Sequence, residues 1–109
     1  WEPVVDDLTA VDLGPGIRHL AVTAHPNPFN PRTTISFDLP LAATVSLAVY
    51  DLHGRLVRSL LNSARLPAGS HQRLWEGRDD RGQAVASESY FYRFTAGRES
   101  RAGKLTILK

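Results

Sequence analysis

Three prolines, Pro26, Pro28 and Pro31, fall within six residues, directly ahead of a stretch (residues 33–39, TTISFDL) in which apolar and polar side chains alternate without a break. Proline fixes φ, has no N–H to give to a neighbouring strand, and biases the residue before it, here Asn27 and Asn30, toward extended geometry. None of the three can occupy the interior of a sheet. Residues 26–31 are therefore expected to form a rigid, extended lead-in, with Phe29 as an apolar peg, that delivers the next strand in one direction.

That strand has a clear two-residue period. Thr33, Ile35, Phe37 and Leu39 fall on one side and Thr34, Ser36 and Asp38 on the other. Residues 44–50 repeat the pattern with Val45, Leu47 and Val49. In Asp51-Leu52-His53-Gly54, the aspartate can bond its own backbone and the glycine can take positive φ, so the chain is expected to double back into residues 56–61. LVRSLL alone is compatible with the start of a helix; its neighbours decide for a strand. Pro67-Ala68-Gly69 and Asp79-Asp80-Arg81-Gly82 read as further turns on either side of a strand at 70–75. Tyr90, Tyr92 and Phe94 alternate with Phe91 and Arg93, and residues 97–103 lead to a last strand at 104–109. With a short strand at 17–23, this makes about seven strands at the spacing of a β-sandwich, and no window carries a helical stripe.

Residues 1–16 (WEPVVDDLTAVDLGPG) combine acid, Pro and Gly and close on a Gly-Pro-Gly breaker. They read as a linker or N-terminal arm with some strand character from Val4 to Val11, and residues 17–109 as one sandwich domain. Trp1, a large ring at the start of an arm, has no core of its own to enter and is expected to dock against another surface. The chain contains no methionine, so a fragment or processed product of a longer protein is expected.

At 109 residues a single domain buries about 65% of the surface of its unfolded chain, enough for one modest core. There are no cysteines, hence no disulfides and no thiolate metal sites. Thirteen Lys and Arg face eleven Asp and Glu, a net +2 with the signs mixed along the chain. No basic stripe with interleaved aromatics suggests nucleic acid, and no apolar run reaches the roughly 20 residues of a membrane helix.

Little in the sequence points to catalysis. His19, His25, His53 and His71 are scattered without HxH or HxxxH spacing. Glu76, Asp79 and Asp80 lack the spaced D-x-D-x-D pattern of a calcium loop and are expected to cap a turn. There is no G-x-S-x-G elbow and no phosphate loop. No cofactor and no metal is expected. Trp75, Tyr90, Phe91 and Tyr92 could form a sugar-binding platform, although rings alternating along a strand more often fill a core.

Taken in order, Pro26-Asn27-Pro28-Phe29-Asn30-Pro31 with Thr33-Thr34-Ile35, Tyr50-Asp51 with Gly54-Arg55, Leu66-Pro67-Ala68-Gly69 with His71, Trp75-x-Gly77-x-Asp79-x-x-Gly82 with Val85-Ala86, Tyr90-x-Tyr92-Arg93 and residues 104–109 resemble the C-terminal immunoglobulin-like domains of exported bacterial proteins. They are similar to the type IX secretion sorting domain and to the immunoglobulin-like domain of the flagellar hook-capping protein. The resemblance spans residues 21–109. One departure is visible: the family places glycine ahead of the Tyr-x-Tyr strand, where this chain has Glu88 and Ser89. Glu88 must then take positive φ with strain, or the bend must differ.

The resemblance implies an all-β, immunoglobulin-like β-sandwich without catalytic activity, located at the surface of a bacterium or secreted, and recognised by the export machinery. Partner contacts are expected through Lys104, Leu105, Thr106, Ile107, Leu108 and Lys109, a β-prone edge segment that a receptor reads by main-chain pairing, with Leu105 and Ile107 on one face and the two lysines as charge marks. Two other readings stand beside it. One is a subunit of an extracellular filament in which Trp1, Val4 and Val5 of the arm add to the next copy, and the other is a carbohydrate-binding accessory domain.

Overall fold

The computed structural model describes residues 20–109. Expectations that rest on Trp1, Val4 and Val5, on the 1–16 arm and on a strand beginning at residue 17 lie outside the described residues. Within them the chain forms seven strands and no helix: β1 (Ala21–His25), β2 (Thr33–Leu39), β3 (Ala43–Tyr50), β4 (Leu56–Leu66), β5 (Gly69–Trp75), β6 (Ser89–Ala96) and β7 (Glu99–Thr106).

They build two antiparallel sheets, one in the order β1-β2-β5 and the other β4-β3-β6-β7. The chain changes sheet after β2, after β4 and after β5, while β3–β4 and β6–β7 are hairpins. This is the β-sandwich expected from the two-residue periods and strand spacing, of the immunoglobulin-like kind that the resemblance implies. Ile35, Phe37 and Leu39 of β2 meet Val45, Leu47 and Val49 of β3 and Tyr90, Tyr92 and Phe94 of β6 in the core. Phe37 and Phe94, one from each sheet, lie 4.6 Å apart between ring centroids. Each such side chain is buried almost completely, worth roughly 1.5–3 kcal/mol of transfer free energy.

Residues 33–39 form a strand as expected, and β3 matches its expected segment to within one residue. Four segments differ. β1 runs on to His25, past the expected end at residue 23. β4 runs on to Leu66, past the expected end at residue 61. It keeps pairing with β3 by shifting register three times, and Ser63, with φ of 52°, donates its N–H to the Ser46 hydroxyl. Register shifts of this kind let a bent strand stay bonded.

The last strand starts at Glu99 and ends at Thr106, whereas the sequence suggests 104–109. Gly97, at φ of 60°, and Arg98 make the turn. Gly103 is a strand residue, directly opposite Tyr92. A Cβ at position 103 would come within 2.3 Å of the Tyr92 ring, so glycine here makes room for an aromatic ring instead of breaking the strand.

Residues 26–31 bend where an extended lead-in is expected. The Thr33 hydroxyl donates to the Pro26 carbonyl at 2.7 Å, and Phe29, only 3% exposed, turns into the core. Nor does Glu88 take positive φ: among the described residues Ser63 is the only non-glycine that does. The bend ahead of β6 therefore departs from a glycine-type turn.

Candidate recognition surface at the C-terminal corner

Residues far apart in sequence meet at one end of the sandwich. Phe29 forms an isolated parallel bridge with Ile107. Its N–H donates to the Thr106 carbonyl at 2.9 Å, and its carbonyl accepts the Leu108 N–H at 3.0 Å. Asn27 completes the seam, its amide nitrogen donating to the Lys104 carbonyl at 2.8 Å and its amide oxygen accepting the Thr106 N–H at 3.0 Å. From the other side, the Ile107 N–H donates to the Glu88 carbonyl at 3.1 Å and the Lys109 N–H to the Ser87 hydroxyl at 3.1 Å. The Lys109 ammonium also donates to the Val85 carbonyl.

Below this seam is an aromatic chain. Phe29 meets Trp75 edge-on at 5.6 Å, and Trp75 meets Tyr90 edge-on at 5.5 Å. The indole N–H of Trp75 donates to the Arg78 carbonyl at 2.9 Å, and the Tyr90 hydroxyl donates to the Ala86 carbonyl at 2.9 Å. A tyrosine at the start of a strand that bonds back to the chain a few residues upstream is the corner feature of immunoglobulin-like sandwiches. Burial of the phenol, with the Glu88 carboxylate 3.2 Å away as a lesser cause, pushes the Tyr90 pKa up to about 12. Gly77, at φ of 71°, lies under Pro31, where a Cβ would approach the Pro31 carbonyl oxygen to 2.9 Å.

The expected turns hold through their aspartates. Asp51 accepts the His53 and Arg55 N–H groups and the Arg55 guanidinium, with the Arg55 backbone bond the leading cause of a carboxyl pKa below its usual value. Gly54 follows at φ of 77°. Asp79 accepts the Arg81 and Gln83 N–H groups, and Gly82 follows at φ of 83°. Asp80 reaches sideways: its N–H donates to the Val57 carbonyl at 2.9 Å and its carboxylate accepts the Ser59 N–H at 3.0 Å, covering part of the β4 edge. Among the described residues no three His, Asp or Glu side chains converge as metal ligands would.

The six residues expected to contact a partner are thus placed very differently. Leu105 and Ile107 are 0% exposed and belong to the core, so they offer no apolar face to a receptor. The outward N–H and C=O of Thr106 are already bonded to Asn27 and Phe29, and the ammonium of Lys109 is engaged by Val85. Lys104 and Leu108 are exposed; Leu108 retains 58% of its surface. Lys104 stands opposite Phe91, itself opposite Tyr50, in one row across β7, β6 and β3. Trp75 and Tyr92, 1% and 8% exposed, are core residues and form no sugar platform.

The sequence reading missed the Asn27 seam, the Asp80 cover and the Gly103–Tyr92 pairing. The only signal for any of them was composition: an Asn between prolines, a second Asp in a turn, a Gly among β-prone residues.

No protein-family model matches the chain, and no curated protein does. Solved structures do. The fold is similar to PorZ, an essential bacterial surface component of the type IX secretion system of Porphyromonas gingivalis, with a TM-score of 0.56 and 23% identity over 81% of this chain and 11% of that one. It is similar to dimeric latent PorU from the same organism, with a TM-score of 0.65 and 21% identity over 85% of this chain and 10% of that one. FlgD from P. aeruginosa matches with a TM-score of 0.53 and 25% identity over 69% of this chain and 58% of that one. The chain spans about a tenth of the two secretion proteins and little more than half of FlgD. These structural neighbours, type IX secretion components and a flagellar hook-capping protein, are of the two groups that the sequence motifs resemble, and the fold is the one they share.

Proposed function

We propose that this chain is a non-catalytic recognition module of a secreted or surface-attached bacterial protein, read by the export machinery as a folded sandwich. The observation that carries this reading is the C-terminal corner. Because Leu105 and Ile107 are buried and the Asn27–Phe29 segment covers the backbone from Lys104 to Leu108, what a receptor meets there is a formed rim bearing Lys104 and Leu108. Similarity to parts of two type IX secretion proteins supports that reading. A docking surface built of covered backbone with a few protruding side chains suits protein recognition through rim contacts.

The test is a reporter carrying a signal peptide and this chain at its C-terminus, expressed in a bacterium with a type IX system. Display of the reporter at the cell surface is expected, with Lys104→Glu combined with Leu108→Asp holding it in the periplasm while the domain stays folded. A wild-type fusion that remains periplasmic, or a double variant displayed as well as wild type, would refute the proposal.

A further inference from the structure

The two sheets present very different outer faces. On the three-stranded sheet the outward positions of β2 are Thr34, Ser36 and Asp38, and Asp38 accepts a bond from the Ser70 hydroxyl. Small polar side chains of this kind are what a solvated sheet face carries. The four-stranded sheet differs. Because Val45, Leu47 and Val49 point into the core with Tyr92 and Phe94 opposite them, the alternate residues of β3, β6 and β7 stand on the outer face. Those positions hold Ser, Thr, Ala, Tyr, Phe, Arg and Lys, and none holds an acid.

One row of this face is apolar. Leu56 stands opposite Tyr50, Tyr50 opposite Phe91, and Phe91 opposite Lys104, so a single line crosses β4, β3, β6 and β7. Side chains directly opposed in a sheet are about 5 Å apart, which makes the three apolar members one continuous strip ending at an ammonium. Leu56 is 54% and Phe91 38% exposed, with Tyr50 half-buried between them. Arg93, also exposed, lies two residues along β6 from Phe91, about 7 Å away on the same face. The carboxylates that flank the strip in the chain, Asp51 and Glu88, are engaged by Arg55 and by the Tyr90 hydroxyl.

Tyr and Phe beside Arg is the composition of a protein contact core. A sugar would need rings to stack on, whereas this strip begins with a leucine. A second copy of the chain fits poorly, because a two-fold pair of these faces would bring the Arg93 and Lys104 charges of both copies together. We propose that the outer face of the four-stranded sheet is a second docking surface, which takes an acidic segment of another protein. An apolar side chain of that segment lies on the Leu56-Tyr50-Phe91 strip, and its flanking carboxylates meet Arg93 and Lys104. Only Lys104 is shared with the rim invoked for export. The variants below leave Lys104 unchanged, so their failure would leave the export reading standing.

The test is mapping of amide shifts by NMR on the full chain, with the blocked hexapeptide Glu-Glu-Leu-Phe-Glu-Glu as probe. Saturable shifts are expected at Tyr50, Phe91 and Arg93, and none at Gln72 on the other sheet. Arg93→Glu is expected to weaken binding about tenfold or more, and so is Phe91→Ser, with unchanged amide exchange at Phe94 showing that both variants fold. Raising salt from about 0.05 M to about 0.5 M weakens binding to the wild type, and Gln72→Glu leaves it unchanged. Absence of shifts at these amides, or equal binding of the peptide Gln-Gln-Leu-Phe-Gln-Gln, overturns the proposal. Stronger shifts of the same amides with trigalacturonate assign the face to an acidic glycan and overturn it. A dimer by light scattering that Arg93→Glu abolishes assigns the face to a second copy and overturns it as well.

Discussion

The side-chain amide of Asn27 bonds the backbone of Thr106 and Lys104 as a neighbouring strand would, with its oxygen 3.0 Å from the Thr106 N–H and its nitrogen 2.8 Å from the Lys104 carbonyl oxygen. One residue of a proline-bound loop thereby closes the end of an edge strand from the far end of the sequence. Removing this amide leaves two backbone groups to water. Asn27→Ala is expected to cost about 1–2 kcal/mol in urea denaturation and to speed amide exchange at Thr106. Unchanged exchange there would mean that the seam is held by Phe29 alone.

Gly103 and Tyr92 are matched in size. Since a Cβ at 103 would lie 2.3 Å from the Tyr92 ring, Gly103→Ala is expected to cost about 1–3 kcal/mol through overpacking. In a Tyr92→Leu background, with the ring gone, the same change is expected to cost less than about 1 kcal/mol. Strict additivity of the two substitutions in thermal unfolding would contradict the contact.

Tyr90 couples the corner to pH. Its pKa rises from 10 to about 12, chiefly by burial, so the folded state favours the protonated phenol. The associated stability is fully present below pH 10 and is lost as pH climbs toward 12. Tyr90→Phe is expected to destabilise the domain by about 1 kcal/mol at neutral pH, by deleting the bond to Ala86. The stability gap between wild type and variant should then narrow between pH 10 and 12 in denaturation curves; a gap independent of pH across that range would contradict the assignment.

Ile107 and Leu108 are chain neighbours with opposite fates. Ile107→Ala opens a cavity in the core under the Phe29 and Gly77 segments and is expected to cost about 2–5 kcal/mol. Leu108→Ala, at a side chain 58% exposed, is expected to change stability by less than about 0.5 kcal/mol. Comparable melting shifts for the two would show that the terminal residues are not anchored as described.

The extent of legibility follows from how local each signal is. The faces of residues 33–39 and 44–50 were readable because side-chain alternation depends only on neighbours two positions away. The turns at Asp51 and Asp79 were readable because a short polar side chain bonds its own backbone within four residues. The limits of β4 and β7 were not. Leu66 and Glu99 are strand residues because Ala43 and Ala96 stand opposite them, and Gly103 stays in its strand because of a ring on β6.

By itself, then, the sequence determined the all-β class, the strand number, the inward faces and most turns, all properties of periodicity and local backbone chemistry. Tertiary structure alone decided which edges are sealed, that residues 26–31 bend inward, and that Leu105 and Ile107 are core residues and not a docking face. Those outcomes depend on hydrogen bonds between residues 77 and 79 positions apart. Such pairs acquire a geometry only when sheet order brings a side-chain amide within reach of a backbone that no short-range pattern can point to.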